Sequence, residues 1–301
     1  MSTTEHIKIK KYAAIDIGSN AMRLLITNII EYKGKQTQFN KSSLVRVPIR
    51  LGQDAFTVGE ITSENIERMV DAMKAFKLLM KVHKVESYLA CATSAMREAY
   101  NGKEVVDIIK KEAEIDIDII DGKKEAAIIA STDLHFLLKT EKTYLYVDVG
   151  GGSTEFSLFS DGKIIASKSF KAGTVRLLNE VVSDIVWKEI EKWIVNNTSG
   201  YDSISLIGSG GNINKLFKMS GKSQEKPLTY IYLNAQFTIL NNLTYEQRIA
   251  ELGLNPDRAD VIIPAMKLYL NAMKWSKAQN IYVPKIGLSD GIVKAMYYGK
   301  I

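Results

Sequence analysis

Three consecutive glycines between two acidic positions are the strongest chemical signal in this sequence. The triplet Gly150–Gly152 follows an apolar segment that carries Asp148, and Ser153, Thr154 and Glu155 come directly after it. Glycines let backbone amides approach a ligand closely, and successive N–H groups in such a turn form a concavity that binds anions. The two carboxylates offer the hard oxygen ligands that Mg²⁺ takes together with phosphate. The segment predicts a metal-assisted phosphate site, with a glycine-rich hairpin of no function as the alternative.

A second copy of this pattern lies near the N-terminus. Asp16 again closes an apolar segment, and the small turn Gly18-Ser19-Asn20 precedes the next apolar segment. Asn is common in turns, so a plain hairpin is the alternative here, and Arg23 either aims at phosphate or decorates a strand face. Because two copies at domain spacing mark an internal repeat, the sequence predicts two similar domains that face each other.

A third glycine-rich turn, Gly208–Gly211, follows the predicted strand 203–207 and precedes a helix. The free amides of a helix N-terminus favour an anion. The segment lacks the Gly-Lys-Ser/Thr end of a Walker loop and does not match the dinucleotide glycine fingerprint. Phosphate binding and a tight strand-to-helix turn both stay open at this position.

Hydroxyl and guanidinium groups follow the predicted strand 86–92. Thr93 and Ser94 lie at the end of this strand, and Arg97 lies about one helical turn further on. This arrangement suits a phosphate clamp, because guanidinium binds phosphate in a bidentate manner. A capped helix with a surface arginine is the alternative. Cys91 lies inside the apolar strand, which favours a buried, inert thiol over a nucleophile.

Hydrolysis of a phosphoanhydride also needs a group that orients or deprotonates water. Glu125 is a candidate because it begins the predicted helix 123–138, where the chain passes between its two halves; taken alone, it also fits a solvated glutamate. The histidines His6, His83 and His135 are scattered and show no ligand spacing. The sequence therefore gives no support to a zinc site or a Ser-His-Asp triad.

Alternating predicted strands and helices position these motifs in an α/β fold. The predicted strands are 12–17, 22–30, 36–47, 86–92, 116–120, 143–149, 154–160, 163–170 and 203–207. The predicted helices are 63–82, 102–114, 123–138, about 173–197, 257–277 and 290–298. Pro264 is expected in the first turns of its helix or at a kink, and Asp161-Gly162 predicts a two-residue hairpin. The polar first ten residues are expected to form a loose arm.

The composition is that of an ordinary globular protein. The 301 residues are enough for two domains, and 46% of them are hydrophobic and 25% charged. No apolar stretch is long enough for a membrane span, no secretion signal begins the chain, and the one cysteine cannot form an intramolecular disulfide, so a cytoplasmic protein is expected. The net charge of +6 either steers polyanions or has no special meaning. No basic run is interleaved with aromatics, which argues against nucleic acid.

Taken together, these segments resemble the exopolyphosphatase / guanosine pentaphosphate phosphohydrolase (Ppx/GppA) family, in its short form. The resemblance runs in the family's order through AAIDIGSNAMRLLI, ATSAMREA, IIDGKKEAAIIA, YVDVGGGSTEFSLF, GTVRLL, LIGSGGN, PDRADVIIPA and GLSDGIVKAMYYG. It implies two ribonuclease-H-like domains of the actin-like superfamily around an interdomain cleft. The first would comprise 1–122 with a C-terminal helix at about 288–301, and the second 123–287. Related proteins often form homodimers, and no coiled-coil seam in this sequence requires one.

The resemblance also implies roles for individual residues. Glu125 matches the glutamate taken as the general base, and Asp148 and Glu155 match carboxylates associated with Mg²⁺. The positions that match phosphate contacts are Gly18, Ser19, Asn20, Arg97, Gly150, Gly151, Gly152, Ser153, Gly208, Ser209, Gly210 and Gly211, with Arg258 as a further candidate. In the implied mechanism, glycine amides, an arginine and Mg²⁺ hold a terminal phosphate while the glutamate directs water.

Three positions depart from the family's pattern: Ala127, Ala21 and Asn212 stand where arginine, a hydroxyl residue and threonine are common. These changes thin the expected phosphate contacts and leave the implied base and metal ligands in place. Three readings follow. The first is an exopolyphosphatase, the second a guanosine pentaphosphate phosphohydrolase, and the third a non-catalytic sensor of guanosine penta- or tetraphosphate. A kinase of the same superfamily fits the motif set less well.

Overall fold

A computed structural model describes residues 7–130, 132 and 142–301 of the chain. The chain divides into two compact units, and each is described by itself. The first comprises Met1–Asp121 with Leu288–Ile301, and the second comprises Gly122–Gly287.

The first unit is built on a five-stranded sheet in the order β3-β2-β1-β4-β5. Its strands are β1 (Ile7–Ile17), β2 (Met22–Tyr32), β3 (Gln38–Val47), β4 (Ser87–Ala92) and β5 (Ile117–Ile119). Its helices are α1 (Leu51–Thr57), α2 (Ser63–His83), α3 (Ser94–Glu98), α4 (Gly102–Ala113) and the C-terminal α13 (Leu288–Tyr297). The apolar face of α2, with Met69, Met73 and Phe76, shares one buried core with the central strands, and this burial holds the unit together.

The second unit is built on a six-stranded sheet in the order β10-β11-β9-β6-β7-β8. Its strands are β6 (Thr143–Val149), β7 (Thr154–Ser160), β8 (Lys163–Phe170), β9 (Ile204–Ser209), β10 (Leu228–Thr229) and β11 (Asn280–Tyr282). Its helices are α5 (Gly122–Ala130), α6 (Thr174–Leu178), α7 (Asp184–Thr198), α8 (Gly211–Met219), α9 (Tyr230–Asn242), α10 (Tyr245–Ala250), α11 (Pro256–Ala259) and α12 (Ile262–Trp275). The helix α5 packs against β7 and β8.

The internal repeat predicted from the sequence is confirmed by the two sheets. In the first, β1 pairs antiparallel with β2 and parallel with β4, β2 pairs antiparallel with β3, and β4 pairs parallel with β5. In the second, β6, β7, β8, β9 and β11 repeat this pattern of partners and directions, and β10 adds an antiparallel edge strand. The aspartate-bearing strand is therefore the central strand of both units.

Several predicted elements differ from the structure. The expected loose arm is wrong at residues 7–10, which extend β1 and pair with 29–32 of β2, because the hairpin ladder bonds the backbone whatever the side chains are. The predicted helix 257–277 is two helices, with Pro264 in the first turn of α12, where its missing N–H costs nothing. The helices predicted at about 173–197 are confirmed as α6 and α7. The predicted helix 123–138 is described as far as Ala130 and again at residue 132. Its other residues, His135 among them, lie outside the described residues, and so does His6.

Candidate active site

A row of polar side chains crosses the second sheet at the end of its central strand. In the ladder registers, Asp148 of β6 lies opposite Glu155 of β7 on one side and opposite Ser209 of β9 on the other, while Glu155 also lies opposite Ser169 of β8. Directly opposed residues of neighbouring strands point to the same face of a sheet. The row Ser209–Asp148–Glu155–Ser169, called here the carboxylate row, therefore lies on one face at the edge where β6 ends.

The two carboxylates of this row have the chemistry of a cation site. Glu155 is 4% exposed and Asp148 is half-buried, and their carboxyl groups are directly opposed across one strand pair. When both groups are ionised, their repulsion destabilises the fold. A cation bound between the carboxylate oxygens would turn this repulsion into net attraction. Among the described residues no group of three or more His, Cys, Asp or Glu side chains is arranged to hold a metal. Mg²⁺ typically takes one or two carboxylates with waters and phosphate, so the donor set fits Mg²⁺.

Hydroxyl groups orient both carboxylates. The Oγ atoms of Ser153 and Ser169 donate to Oε1 of Glu155 at 2.6 and 2.8 Å, and the hydroxyl of Tyr146 donates to Oδ2 of Asp148 at 3.3 Å. Burial, followed by the negative charge of Asp148, holds the pKa of Tyr146 well above its ordinary value. This phenol consequently stays protonated near neutral pH and remains a donor to the carboxylate.

The turn that follows Asp148 is tight and is pressed against α6. The amide of Gly150 donates to the carbonyl of Ser153 at 3.0 Å, which closes the turn between β6 and β7. Gly173, which precedes α6, packs against the backbone of this turn. A Cβ built on Gly173 would lie 2.3 Å from the carbonyl oxygen of Gly151. No side chain fits in this space, so the close approach requires glycine at position 173.

Replacing Gly173 with Ala is therefore expected to displace the turn. The added methyl would overlap backbone atoms, and overpacking of this kind costs about 1–3 kcal/mol in the free energy of unfolding. Urea denaturation measures this loss. The matched control is Gly200→Ala, because a Cβ at Gly200 meets nothing within 4 Å. Equal stability of the two variants would show that the turn and α6 do not make this contact.

The third glycine-rich turn also adjoins Asp148. Gly210 has φ 114°, a left-handed conformation that favours glycine, and it precedes α8 at Gly211. A Cβ built at Gly210 would lie 2.9 Å from the carbonyl oxygen of Val149 and 3.5 Å from Oδ1 of Asp148. Tyr269 of α12 donates its hydroxyl to the carbonyl of Ser209 beneath this turn. The second unit thus brings Gly150–Ser153, Gly208–Gly211 and the two carboxylates together.

Glu125 lies on the buried face of α5. It is in the first turn of this helix and is 8% exposed, and Ile128 and Ile129, three and four residues on, are buried with it. Gly122, three residues before it, is close to β8, since a Cβ built there would lie 3.1 Å from Cβ of Ser169. Residues three apart in a helix share a face. Glu125 therefore lies on the face of α5 that contacts the serine bonded to Glu155.

The equivalent row in the first unit has a different charge pattern. Asp16 lies opposite Arg23, in the registers where the second unit has Asp148 and Glu155, and Arg23 lies opposite Arg46. Nη1 of Arg23 and Oδ2 of Asp16 form an ion pair at 3.2 Å. Burial raises the pKa of Asp16, and the nearby guanidinium partly offsets the rise. In the first unit the aspartate is therefore paired with an arginine of the neighbouring strand. The second unit has a carboxylate in the place of that arginine.

The remaining predicted phosphate residues of the first unit are close to one another. The Oγ atoms of Ser19 and Ser94 lie 2.9 Å apart, which joins the Gly18–Asn20 turn to the start of α3. Nη1 of Arg97 donates to the carbonyl of Ile120 at 2.6 Å. Guanidinium has five N–H donors, so this bond leaves others for an anion. Arg258 lies on α11 of the second unit, and its assignment to phosphate stays a prediction.

Sequence reasoning singled out neither Ser169 nor Arg176. Ser169 is an ordinary strand serine in the sequence, and only the β7–β8 register places it beside Glu155. Arg176 is 9% exposed, and its Nε donates to the carbonyl of Gly152 at 2.7 Å. The segment Gly173–Leu178 stands out in the sequence only through its resemblance to the family's motif.

Known proteins and solved structures are similar to this chain over most of its length. A Fusobacterium nucleatum bifunctional 3-dehydroquinate synthase/phosphatase is 29% identical over 83% of this chain, which spans 41% of that protein's length. Exopolyphosphatase 1 of Mycobacterium tuberculosis is 20% identical over 94% of this chain and 87% of its own length. A crystal structure of an exopolyphosphatase from Cytophaga hutchinsonii superposes with a TM-score of 0.82 at 26% identity, covering 96% of this chain and 98% of that one.

The likeness to this crystal structure and the two repeated sheets confirm the predicted fold class at the level of an α/β fold with two similar domains. No described helix has the length and apolarity needed to cross a membrane. The sequence model of the Ppx/GppA phosphatase family matches residues 32–298, nearly the whole length of the chain. The chain therefore belongs to the Ppx/GppA phosphatase family.

Proposed function

We propose that this chain is an exopolyphosphatase that removes the terminal phosphate of inorganic polyphosphate by hydrolysis. The relatives named exopolyphosphatase support the substrate class. The observation that carries the proposal is the placement of a buried carboxylate, Glu125, on the helix face that contacts the carboxylate row. A general base, an opposed carboxylate pair and two glycine turns within one folding unit are the parts that phosphoanhydride hydrolysis requires.

Asp148 and Glu155 would hold Mg²⁺, which neutralises charge on the oxygens of a transferring phosphoryl group. The amides of Gly151, Gly152 and Ser153 bind the terminal phosphate and keep its phosphorus in line with an attacking water. Glu125 accepts a proton from that water as its oxygen bonds to the terminal phosphorus. The bond from this phosphorus to the bridging oxygen breaks, and the bridging oxygen leaves with the shortened chain. One orthophosphate is released for each water consumed.

Two alternative functions remain for this site. Guanosine pentaphosphate carries the same terminal phosphoanhydride, so a phosphohydrolase acting on it would use the same groups. A sensor that binds guanosine penta- or tetraphosphate without turnover is motivated by Ala127 and Ala21. Ala127 is exposed on α5 while Glu125 is buried, so the missing arginine changes the open face of the helix and leaves the buried carboxylate in place. This separation favours retained hydrolysis over a silent sensor.

A phosphate-release comparison tests the proposal. Polyphosphates of several lengths and guanosine pentaphosphate should each be incubated with the full chain, with and without Mg²⁺, at equal concentrations of terminal phosphate. We expect the highest kcat/KM for polyphosphate and a requirement for Mg²⁺. Faster turnover of guanosine pentaphosphate would assign the second activity instead. Binding of guanosine tetraphosphate with no phosphate release from any substrate under saturating Mg²⁺ would establish the sensor.

A further inference from the structure

A buried arginine lies behind the glycine turn of the second unit. Arg176 of α6 is 9% exposed, and burial of a guanidinium is costly unless hydrogen bonds compensate for its lost hydration. Its Nε donates to the carbonyl of Gly152 at 2.7 Å. A charged donor makes a stronger hydrogen bond than a neutral one, so this contact holds the carbonyl firmly.

Backbone donors of α6 bind the two preceding carbonyls of the same turn. The amide of Thr174 donates to the carbonyl of Gly150 at 2.9 Å, and the amide of Val175 donates to the carbonyl of Gly151 at 2.8 Å. Together with the bond from the Arg176 guanidinium to Gly152, three successive carbonyls of the turn therefore point towards α6 and the side chain of Arg176. The turn is thus held along one side, over three consecutive peptide groups.

The orientation of these carbonyls fixes the orientation of the amides that follow them. In a planar trans peptide the C=O of one residue and the N–H of the next point in opposite directions. Because the carbonyls of Gly150–Gly152 point towards α6, the N–H groups of Gly151, Gly152 and Ser153 point away from it. Three successive amides on one side of a turn form an anion-binding concavity. The bonds to α6 therefore create the donor array that a phosphate needs.

The glycines make this external support necessary. Glycine has more backbone freedom than any other residue, so a turn with three of them does not keep one conformation by itself. The close approach of Gly173 brings α6 within bonding distance, and Arg176 extends the contact to the last glycine of the triplet. Arg176 therefore supports the conformation of the turn from its carbonyl side, opposite the side to which the amides point.

We infer that Arg176 is a positioning residue for phosphate binding: its guanidinium holds the carbonyl of Gly152, so that the amides of the Gly150–Ser153 turn stay directed at the terminal phosphate. The inference rests on the proposed function for its substrate. Arg176 bonds the carbonyl side of the turn, so it acts through the conformation of the turn. Displacement of a reacting group by about 1 Å can cost about 10²-fold in rate, so loss of this support should show in kcat more than in KM.

The test compares three substitutions, Arg176→Lys, Arg176→Gln and Arg176→Met, with the control Arg248→Met in the full chain. Arg248 belongs to the same unit and also bonds backbone carbonyls, with Nε donating to Leu240 at 2.8 Å and Nη1 to Ala259 at 3.0 Å. We expect Arg176→Met to lower kcat on polyphosphate by about 10²-fold. Lysine should restore most of the loss, and glutamine, a neutral donor, should restore less. The control should lower the melting temperature without changing kcat or KM.

A second readout does not depend on turnover. Hydrogen exchange of the amides in residues 150–155, measured with and without inorganic phosphate, reports directly on the turn. We expect Arg176→Met to speed this exchange and to abolish protection by phosphate, while Arg248→Met leaves both unchanged. If Arg176→Met fails to fold, the same comparison between Arg176→Lys and Arg176→Gln decides the question.

The possible results separate the two claims. If the wild-type chain hydrolyses polyphosphate and the Arg176 variants match the Arg248 control in kcat and in exchange, the positioning role is overturned and the proposed function stands. If the wild-type chain releases no phosphate, the proposed function fails, and exchange in the turn alone judges the positioning role. Unchanged exchange in every Arg176 variant would then overturn that role as well.

Discussion

Replacing Glu125 with Gln is expected to lower kcat for phosphate release by about 10²–10⁴-fold, the range typical of general acid–base catalysis. Gln keeps the size and shape of the side chain but cannot accept a proton from water. The side chain is 8% exposed on the inner face of α5, so the isosteric change should leave the fold intact. Initial rates of orthophosphate release, with binding of inorganic phosphate measured in parallel, separate lost chemistry from lost affinity.

The control is Glu189→Gln, at an exposed glutamate on α7 of the same unit, which should keep full turnover. The Glu125 variant should also keep the melting temperature and the phosphate affinity of the wild type. Turnover equal to that of the wild type in Glu125→Gln would refute the assignment of the base. A variant that loses phosphate binding together with turnover would assign Glu125 to structure or binding instead.

The second large effect is expected from Asp148→Asn. This change removes one of two opposed carboxylates, so the affinity for Mg²⁺ should fall and kcat should drop by about 10²–10³-fold, as for loss of one electrostatic stabiliser of a transition state. A ligand that binds only the native state raises the melting temperature with its concentration. The melting temperature of the wild type should therefore rise with added Mg²⁺, and that of the variant should not.

The metal-free proteins should show the opposite order. Without a cation the two like charges across β6 and β7 repel each other, so Asp148→Asn should be at least as stable as the wild type in the presence of a chelator. Asp202→Asn, at an exposed position of the same unit, serves as the control and should keep the Mg²⁺ response. A wild-type melting temperature that is insensitive to Mg²⁺ would count against a metal site on the carboxylate row.

The sequence predicts the central strands well because their signals are local. Asp161 and Gly162 have φ of 51° and 73°, so the two-residue hairpin predicted from Asp-Gly is confirmed. The apolar runs around Asp16 and Asp148 are likewise strands whose neighbours follow the expected repeat. Pairing that joins distant segments is less visible. The three-residue strand β11 carries no strand signal of its own and depends on its partners β9 and β10.

The residues of the candidate site also differ in how far the sequence predicts them. Asp148, Glu155 and the glycines are recognisable because their residue types and close spacing occur together in one segment. Ser169 and Arg176 are not, because each acts through a contact with a segment distant along the chain, and a strand serine or a helix arginine is common. The contrast between the Asp16–Arg23 pair and the Asp148–Glu155 pair also becomes visible only when the ladder registers are aligned.

The most direct test of the account is the position of oxygen-18 after polyphosphate hydrolysis in labelled water. Attack of water on the terminal phosphorus, as proposed for the site around Glu125 and the carboxylate row, places one labelled oxygen in each released orthophosphate and none in the shortened chain. Mass spectrometry of both products measures this. Label in the shortened chain, or phosphate passed to an acceptor without uptake of label, would contradict the account.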